Sequence, residues 1–250
     1  MTRLVGKTAL VTGASRGIGR GIAEGLAAEG ATVAVNRPPS EDPSYGQDVV
    51  SAIEADGGEA FVLEADVSDE DDVRAMISTF EDRHGAVDVL VNNAGILTQS
   101  ELAEMPVEMW DETISVDLRG VFLTTRFALP GMLEAGSGKI INVASQLGIK
   151  GGEELVHYSA AKGGVIAMTR ALAREVSPTV NVNAIAPGPI VTDLLDDISE
   201  EWREAKEAEL PMNRLGTVED VVPTAVFLAS DDSDYYTGQT LSPDGGDAMH

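Results

Sequence analysis

Basic residues are scarce in this chain of 250 residues, which carries 17 lysines and arginines against 42 aspartates and glutamates and has a formal net charge of −25. A chain so acidic repels the phosphates of nucleic acids and anionic membrane surfaces, so we predict neither of them as a partner. Cysteine is absent, which excludes disulfides, thiol nucleophiles and cysteine-ligated metals. We predict no metal site.

Long apolar runs are missing as well. The sequence has no run of about 18 apolar residues, so it predicts no transmembrane helix. The strand pattern begins at Thr8, which leaves no room for a signal peptide, and we expect a cytoplasmic protein. Hydrophobic residues nevertheless make up 43% of the chain, too large a share for disorder. The length fits one large domain or two small ones, and because the sequence shows no interdomain linker we predict a single domain over residues 1–250.

An excess of acid with little lysine is typical of proteins that work in molar salt. There the Debye length falls to about 3 Å, which screens the self-repulsion of an acidic chain. We therefore hypothesise a halophilic protein, with an acidic protein adapted to ordinary salt as the alternative.

Apolar β-branched runs alternate with helical patterns along the chain. The predicted strands are Thr8–Val11, Ala31–Val35, Ala60–Leu63, Val87–Val91, Lys139–Val143, Val180–Ile185 and a short Thr240–Leu241. Helical patterns lie between them, at Gly17–Glu29, Asp69–His84, Leu155–Val176 and Val218–Ala229. Strands that are apolar throughout are typical of a parallel sheet buried on both faces. The alternation predicts an α/β fold in which helices cover both faces of a doubly wound parallel sheet of about seven strands.

A glycine loop, Thr12-Gly13-Ala14-Ser15-Arg16-Gly17-Ile18-Gly19, follows the first predicted strand and opens a helix. Glycine allows a tight turn and lets the backbone approach a pyrophosphate without a Cβ in between. The helix N-terminus adds free N–H groups and the positive end of a dipole. A strand followed by such a loop and a helix predicts a dinucleotide-phosphate site.

A tyrosine and a lysine lie one helical turn apart, at Tyr158 and Lys162, so both side chains point to the same face of a predicted helix. A phenol titrates well above neutral pH and is a poor acid–base catalyst there, but a nearby ammonium lowers its pKa. Ser145 ends the preceding strand, at the sheet edge where ligands bind in such folds. Its hydroxyl is placed to hold a substrate oxygen.

These motifs together resemble the short-chain dehydrogenase/reductase family: the Gly-x-x-x-Gly-x-Gly spacing, Asn92-Asn93-Ala94-Gly95 after the fourth strand, and the Ser145, Tyr158 and Lys162 set. The resemblance covers essentially the whole chain. It implies a Rossmann-like sheet with bound NAD or NADP. It also implies an oxidoreductase that transfers a hydride between nicotinamide and a ketone or secondary alcohol.

The resemblance also implies a set of cofactor contacts. Asp66, with Val67, matches the family position that contacts the adenine ring, and the Pro187–Thr192 segment matches the one that binds the nicotinamide end. The predicted cofactor-binding residues are Gly13, Ser15, Arg16, Gly17, Ile18, Gly19, Asn36, Arg37, Asp66, Val67, Asn93, Ala94, Gly95, Tyr158, Lys162, Pro187, Gly188, Ile190 and Thr192.

The residues that follow the second predicted strand decide between NAD and NADP. An acid there accepts from the ribose hydroxyls of NAD, whereas a base holds the 2′-phosphate of NADP. The position holds Arg37, preceded by Asn36, and Arg16 projects from the glycine loop. Two guanidiniums in so acidic a chain predict a preference for NADP(H), with Arg37 at the start of a surface loop that runs to Pro43.

One residue departs from the family pattern. The family often has a catalytic asparagine in the helix before the fifth strand, where this chain has Asp117. We predict Asp117 as a fourth catalytic residue beside Ser145, Tyr158 and Lys162. If it acts through its backbone carbonyl, holding a water toward Lys162, the exchange is tolerable; if it acts through its side chain, the proton relay is altered.

The substrate is less well defined than the cofactor. The pattern most resembles 3-oxoacyl thioester reductases, with a sugar or polyol dehydrogenase as the alternative and a non-catalytic NADP sensor as an alternative of another class. A lid is expected over residues 192–215, although an amphipathic helix packed on the body explains that segment equally well. The predicted substrate contacts, with His157 at the rim, are Gln146, Leu147, His157, Leu194 and Leu195.

Charge and packing also predict partners. Acyl carrier proteins are acidic, and the Leu129–Gly138 end of the helix before the fifth strand has no basic residue, so docking of a carrier protein is disfavoured. We expect a small-molecule carbonyl or alcohol substrate. The family resemblance implies a homotetramer, and small residues such as Ala160, Ala161 and Ala167 permit close helix packing.

Overall fold

A parallel sheet of seven strands runs through the centre of the computed structural model, which describes residues 2–192 and 199–249. The strands are β1 Thr8–Val11, β2 Thr32–Arg37, β3 Glu59–Glu64, β4 Val89–Asn92, β5 Gly138–Val143, β6 Val180–Ile185 and β7 Thr240–Leu241. Their order across the sheet is β3-β2-β1-β4-β5-β6-β7. The order reverses between β1 and β4, the point where ligands bind in open α/β sheets.

Helices connect the strands and cover both faces of the sheet. In chain order they are α1 Gly17–Ala28, α2 Pro43–Ala55, α3 Glu70–His84, α4 Val107–Ile114, α5 Gly120–Ala135, α6 Leu147–Lys150, α7 Val156–Val176, α8 Glu200–Glu209 and α9 Val218–Ala229. A π-helical turn, Ser115–Arg119, joins α4 to α5. Helices α1, α2 and α9 pack on one face of the sheet, and α3, α5 and α7 pack on the other. The predicted doubly wound sheet is confirmed.

Strand β1 shows why the sheet needs a layer of helices on each face. Ala9 and Val11 belong to the apolar core on one side and Leu10 to the core on the other, because side chains alternate along a strand. All three residues are fully buried. Burying a large apolar side chain stabilises the fold by about 1.5–3 kcal/mol, so neither face is left open to water.

Among the described residues, no helix has the length and apolar character needed to cross a membrane.

Two glycines allow α9 to pack closely on α1. A Cβ at Gly21 would lie 2.1 Å from Cγ1 of Val218, and a Cβ at Gly25 would lie 2.4 Å from Cγ1 of Val222. Any larger residue would therefore push the two helices apart. This contact fixes α1, and with it the glycine loop from which α1 begins.

The segment after β2 differs from the predicted surface loop. Arg37 is the last residue of β2 and is buried, and helix α2 already begins at Pro43. Asp42 caps that helix by accepting a hydrogen bond from the Ser44 N–H at 2.9 Å. Asp at the N-cap and Pro at the first helical position are both favoured, which explains why the helix starts here.

Candidate active site

The ends of neighbouring strands bring the predicted site residues together. The glycine loop follows β1, Asn93 follows β4, Ser145 lies just beyond β5, and Pro187 lies beyond β6. All these strands are parallel, so their carboxyl ends lie at the same edge of the sheet. The predicted phosphate loop and the predicted catalytic residues therefore share one edge, next to the point where the strand order reverses.

The glycine loop has the geometry that a pyrophosphate requires. Gly13 and Gly17 have φ angles of +59° and +54°, in the left-handed region that favours glycine. A Cβ at Gly19 would lie 2.3 Å from Asn93 Nδ2, so a side chain there would break the loop. Arg16, the N-cap of α1, makes no side-chain capping bond, which leaves the first amides of the helix available. The loop therefore fits the phosphates of a dinucleotide.

Two predicted asparagines hold this loop from either side. Asn93 donates from Nδ2 to the carbonyls of Thr12 and Gly13 at 3.0 and 2.9 Å. Asn36 accepts from the Gly13 N–H at 3.2 Å and also donates to carbonyls at the end of β3. Ala94 packs against the same turn, since a Cβ at Gly13 would lie 2.8 Å from the Ala94 Cα. These side chains fix the shape of the loop.

Other predicted cofactor residues lie along the same edge. Ser15 is buried in the loop, and Ile18 packs against the core below it. Asp66 accepts from the N–H and the hydroxyl of Ser68 at 2.9 and 2.7 Å, which orients its carboxylate just beyond β3. Val67 is buried beside it.

Two arginine–carboxylate pairs occupy the predicted 2′-phosphate side of the site. Only 6% of the Arg37 side chain is exposed, and its Nη2 lies 2.5 Å from Oε2 of Glu64. The Arg16 side chain is 60% exposed, and its Nε lies 3.7 Å from Oε1 of Glu41. Arg37 is thus a buried, paired residue and not the surface-loop residue we expected, because β2 and β3 pair in register up to Arg37 and Glu64. Glu64 could have been predicted as the partner of Arg37, because the two residues end the neighbouring strands β3 and β2.

Tyr158, Lys162 and Ser145 meet where α7 packs beside β5. The Lys162 Nζ lies 5.5 Å from the centroid of the Tyr158 ring and 3.3 Å from the carbonyl of Val143. The Ser145 hydroxyl accepts from the Leu147 N–H at 3.1 Å, which orients it. Burial raises the pKa of the Tyr158 phenol above its ordinary value, although the charge of Lys162 and a hydrogen bond with Ser145 oppose the rise.

Asp117 reaches Lys162 with its side chain. It lies fully buried in the π-helical turn, and π-helical turns are frequent at functional sites. Its Oδ1 accepts from the Ile96 N–H at 2.8 Å, and its Oδ2 lies 3.1 Å from the Lys162 Nζ. Burial lowers the pKa of Lys162, but the charges of Asp117 and Tyr158 and a hydrogen bond to Asp117 together outweigh burial, so that the pKa is raised. The geometry favours the alternative in which the side chain takes part, as an ion pair.

Gly95 lies directly over this ion pair. A Cβ at Gly95 would lie 2.9 Å from Asp117 Oδ2 and 3.2 Å from Lys162 Nζ. A glycine at this position therefore leaves room above the two charged groups.

The predicted nicotinamide segment lies between the end of β5 and the C-terminal residues. The carbonyl of Pro187 accepts from the Gln146 N–H at 3.0 Å, which joins the ends of β6 and β5. A Cβ at Gly188 would lie 2.6 Å from a Cα of the C-terminal segment, so the two backbones are in close contact. Ile190 is buried, and Thr192 lies beside the second glycine of the loop.

Only some of the predicted substrate residues can be located in the structure. Gln146 is buried and Leu147 half-buried, and both lie next to Ser145 at the start of α6. Leu194 and Leu195 lie outside the described residues. The lid over residues 192–215 stays a prediction.

His157 is not the rim residue that we expected. It is fully buried, and its Nε2 lies 2.8 Å from the Thr98 Oγ1 in the segment after β4. Helix α7 begins at Val156, so the His157 ring turns inward instead of toward the mouth of the site. It joins the start of α7 to that segment and has no surface to offer a substrate.

A cluster around Asp247 near the chain end was not predicted from the sequence. Its Oδ1 lies 2.7 Å from the Lys150 Nζ in α6 and 2.9 Å from the Lys206 Nζ in α8. Burial raises the pKa of Asp247, but hydrogen bonds from Lys150, Lys206 and Gln146 outweigh burial and hold the pKa below its usual range. The one available signal was the scarcity of lysine, since two of the few lysines meet here. The cluster connects α8 and α6, which follows Ser145, to the C-terminal segment.

Comparison with known proteins agrees with this geometry. A family model described as enoyl-(acyl carrier protein) reductase matches residues 13–247. The solved structures of similar fold include a short-chain type dehydrogenase/reductase from Mycobacterium marinum, with a TM-score of 0.92 and 34% identity over 98% of this chain and 96% of that one. The chain belongs to the short-chain dehydrogenase/reductase family. As a short-chain dehydrogenase/reductase it is an oxidoreductase acting on CH–OH groups, and it transfers a hydride between nicotinamide and a ketone or secondary alcohol.

Two further proteins similar to this short-chain dehydrogenase/reductase point to different substrates. It is 46% identical to a 3-oxoacyl-[acyl-carrier-protein] reductase from Staphylococcus aureus, over 96% of this chain and 97% of that protein. A gluconate 5-dehydrogenase from Burkholderia cenocepacia, solved in complex with NADP and tartrate, has a TM-score of 0.93 and 34% identity over 98% of this chain and 96% of that one.

Proposed function

We propose that this short-chain dehydrogenase/reductase reduces 3-oxoacyl thioesters with NADPH, using Ser145, Tyr158 and Lys162 as catalytic residues. The proposal rests on the surroundings of the Tyr158 phenol. The centroid of its ring lies 5.5 Å from the Lys162 Nζ, and its hydroxyl interacts with Ser145. The 46% identity, over 96% of this chain, to a 3-oxoacyl-[acyl-carrier-protein] reductase supports the substrate class.

Each proposed role follows from the chemistry of the side chain. When bound, the nicotinamide supplies or accepts the hydride. The Ser145 hydroxyl holds the carbonyl oxygen, and Tyr158 donates its phenolic proton to the alkoxide that develops there, or removes the alcohol proton in the reverse direction. The Lys162 ammonium stabilises the phenolate that remains, because opposite charges in a poorly solvated site attract strongly. Asp117 keeps Lys162 charged.

NADP(H) preference rests on the arginines at the end of β2 and in the glycine loop. The buried Arg37 guanidinium has a delocalised charge and donors in a fixed fork, a geometry suited to a phosphate. Arg16 adds a second, exposed guanidinium on the same side. Both face carboxylates in the structure, so the preference depends on those partners as well.

A sugar or polyol dehydrogenase is the second candidate, supported by the likeness to a gluconate 5-dehydrogenase. A carrier-protein substrate is disfavoured within the first candidate, because the Leu129–Gly138 segment offers an acidic protein no positive charge. The homotetramer, the cytoplasmic location, the single-domain organisation and the adaptation to molar salt stay predictions.

The test compares substrates and a variant in one set of assays. We expect NADPH oxidation with 3-oxoacyl-coenzyme A thioesters to exceed that with the same acyl group on a carrier protein, and NADP reduction by gluconate or polyols to be slow. Faster turnover of gluconate or polyols than of either thioester favours the second candidate, whereas faster turnover of the carrier-protein thioester contradicts only the expectation that carrier proteins are disfavoured. A protein that binds NADPH but turns over none of the substrates is a sensor, which contradicts both candidates.

Tyr158→Phe tests the proposed acid. Removing the hydroxyl is expected to lower kcat by about 10²–10⁴-fold, the usual contribution of a positioned acid or base, while the NADPH dissociation constant stays unchanged. Tyr235→Phe is the matched control, because that side chain is fully exposed. Full turnover in Tyr158→Phe would refute the assignment.

A further inference from the structure

Both arginines of the predicted 2′-phosphate site have carboxylate partners in the structure. The Arg37 Nη2 lies 2.5 Å from Glu64 Oε2, and the Arg16 Nε lies 3.7 Å from Glu41 Oε1. A 2′-phosphate carries more than one negative charge at neutral pH, so it cannot lie against these guanidiniums beside both carboxylates without repulsion. One of the carboxylates has to give way for the phosphate to bind.

The donors of Arg37 show which edge of the guanidinium a phosphate can use. Its Nη1 already donates to the carbonyls of Pro38 and Glu41, both at 3.0 Å. Its Nε is buried and has no hydrogen-bond partner, although it is a charged donor. An unpaired buried donor is costly, and the Nε–Nη2 edge is one that a phosphate engages with two parallel hydrogen bonds. Glu64 occupies half of that edge and leaves the other half unused.

Glu64 is the partner that can move. The Arg37 side chain is 6% exposed, whereas that of Glu64 is 52% exposed. Arg37 is held from below as well, since a Cβ at Gly46 would lie 3.2 Å from Arg37 Cδ. An ion pair with so exposed a partner is weakened by solvent, so a bidentate phosphate contact can offset its loss.

We propose that Glu64 competes with the 2′-phosphate for the Nε–Nη2 edge of Arg37, and thereby limits the preference of this protein for NADP over NAD. The inference rests on the proposed dinucleotide site and adds to it a specificity-determining residue on β3. Glu64 swings into solvent when the phosphate binds and returns to Arg37 when NAD, which lacks that phosphate, is bound.

The test measures binding of adenosine fragments by calorimetry, without turnover. Wild type and Glu64→Gln are titrated with 2′,5′-ADP, which carries the 2′-phosphate, and with 5′-AMP, which lacks it, at one fixed ionic strength. We expect Glu64→Gln to bind 2′,5′-ADP about fivefold more tightly than wild type, the factor that corresponds to a partly exposed ion pair. Its affinity for 5′-AMP should be unchanged.

Glu59→Gln is the matched control, because Glu59 is at the opposite end of β3, pairs with Thr32, and gives the same change in net charge. An equal gain in both variants, or no gain in Glu64→Gln while wild type binds 2′,5′-ADP, would overturn the inference and leave the proposed function standing. If wild type binds neither fragment nor NADPH, the proposed function fails, and the inference fails with it.

Discussion

Replacing Asp117 by asparagine removes the negative charge that lies beside Lys162 while keeping the size of the side chain. The amide oxygen of the new side chain can still accept from the Ile96 N–H, which lies 2.8 Å from the aspartate Oδ1 in the structure. The Lys162 ammonium loses its carboxylate partner but keeps the Val143 carbonyl at 3.3 Å. The variant therefore removes one negative charge from a buried site and places an amide donor, in its stead, beside the lysine.

The expected cost to stability follows from the ion-pair distance. At 3.1 Å and an effective dielectric constant of about 20, Asp117 and Lys162 attract each other by about 5 kcal/mol. Much of this attraction only offsets the desolvation of the two buried charges, and removing one partner of such a pair typically costs about 3–5 kcal/mol. Because asparagine keeps one hydrogen bond, we expect the free energy of unfolding to fall by about 3 kcal/mol, at the lower end of that range.

The effect on catalysis has a definite sign. Burial raises the pKa of the Tyr158 phenol, the charge of Lys162 lowers it, and the charge of Asp117 adds to the rise. Removing the Asp117 charge therefore lowers the phenol pKa. In the proposed mechanism alcohol oxidation requires the Tyr158 phenolate, so the rising limb of kcat/KM against pH should move to lower pH in Asp117→Asn.

Urea unfolding, compared with wild type, measures the expected loss of stability. The pH profile of alcohol oxidation, compared in the same way, measures the expected shift of the rising limb. Asp111→Asn is the control, since Asp111 is an exposed residue of α4 and its replacement changes the net charge equally. A limb that stays in place, or moves to higher pH because Lys162 has lost its proton, would contradict the expected effect of the Asp117 charge on Tyr158. A stability loss no larger than that of the control would contradict the expected contribution of the ion pair.

Two further predictions concern the cofactor loop and the chain end. Gly19→Ala should abolish NADPH binding measured by fluorescence, because its Cβ would lie 2.3 Å from Asn93 Nδ2; binding as tight as wild type would contradict the proposed loop. Asp247→Asn should lower the free energy of urea unfolding at pH 7 by about 1–3 kcal/mol, because Lys150 and Lys206 lose their shared carboxylate. The pKa of Asp247 is held below its usual range, so this difference is present above the ordinary aspartate pKa and should vanish as the pH falls through the folded-state value; a difference independent of pH would contradict it.

The features that the sequence predicted well depend on neighbours along the chain. The glycine loop lies between a strand and a helix, and Tyr158 and Lys162 lie one helical turn apart, so local spacing was sufficient. The strand bounds differ by only a few residues from the predicted ones. Arg37 was the exception, because its pairing with Glu64 depends on the register of β2 and β3.

His157 illustrates the limit of local reasoning. Its position next to Tyr158 predicted a residue near the site, and His157 does lie next to Tyr158 at the start of α7. However, each step of one residue along a helix turns the side chain by about 100°. The side chain of His157 therefore points to Thr98 and the interior. The direction of the His157 side chain depends on how α7 packs against its neighbours. That packing cannot be read from the residues next to His157 in the sequence.

The α/β alternation, the glycine loop and the tyrosine–lysine pair could all be predicted from the sequence, because each follows from residue periodicity or from short spacing along the chain. The partner of each charged group, in contrast, became known from the tertiary structure alone. Asp117 meets Lys162 from a different helical segment, Arg37 meets Glu64 across 27 residues of chain, and Asp247 joins two helices from the chain end. Such contacts depend on strand register and helix packing, and these arise when distant segments bury their apolar faces against one sheet.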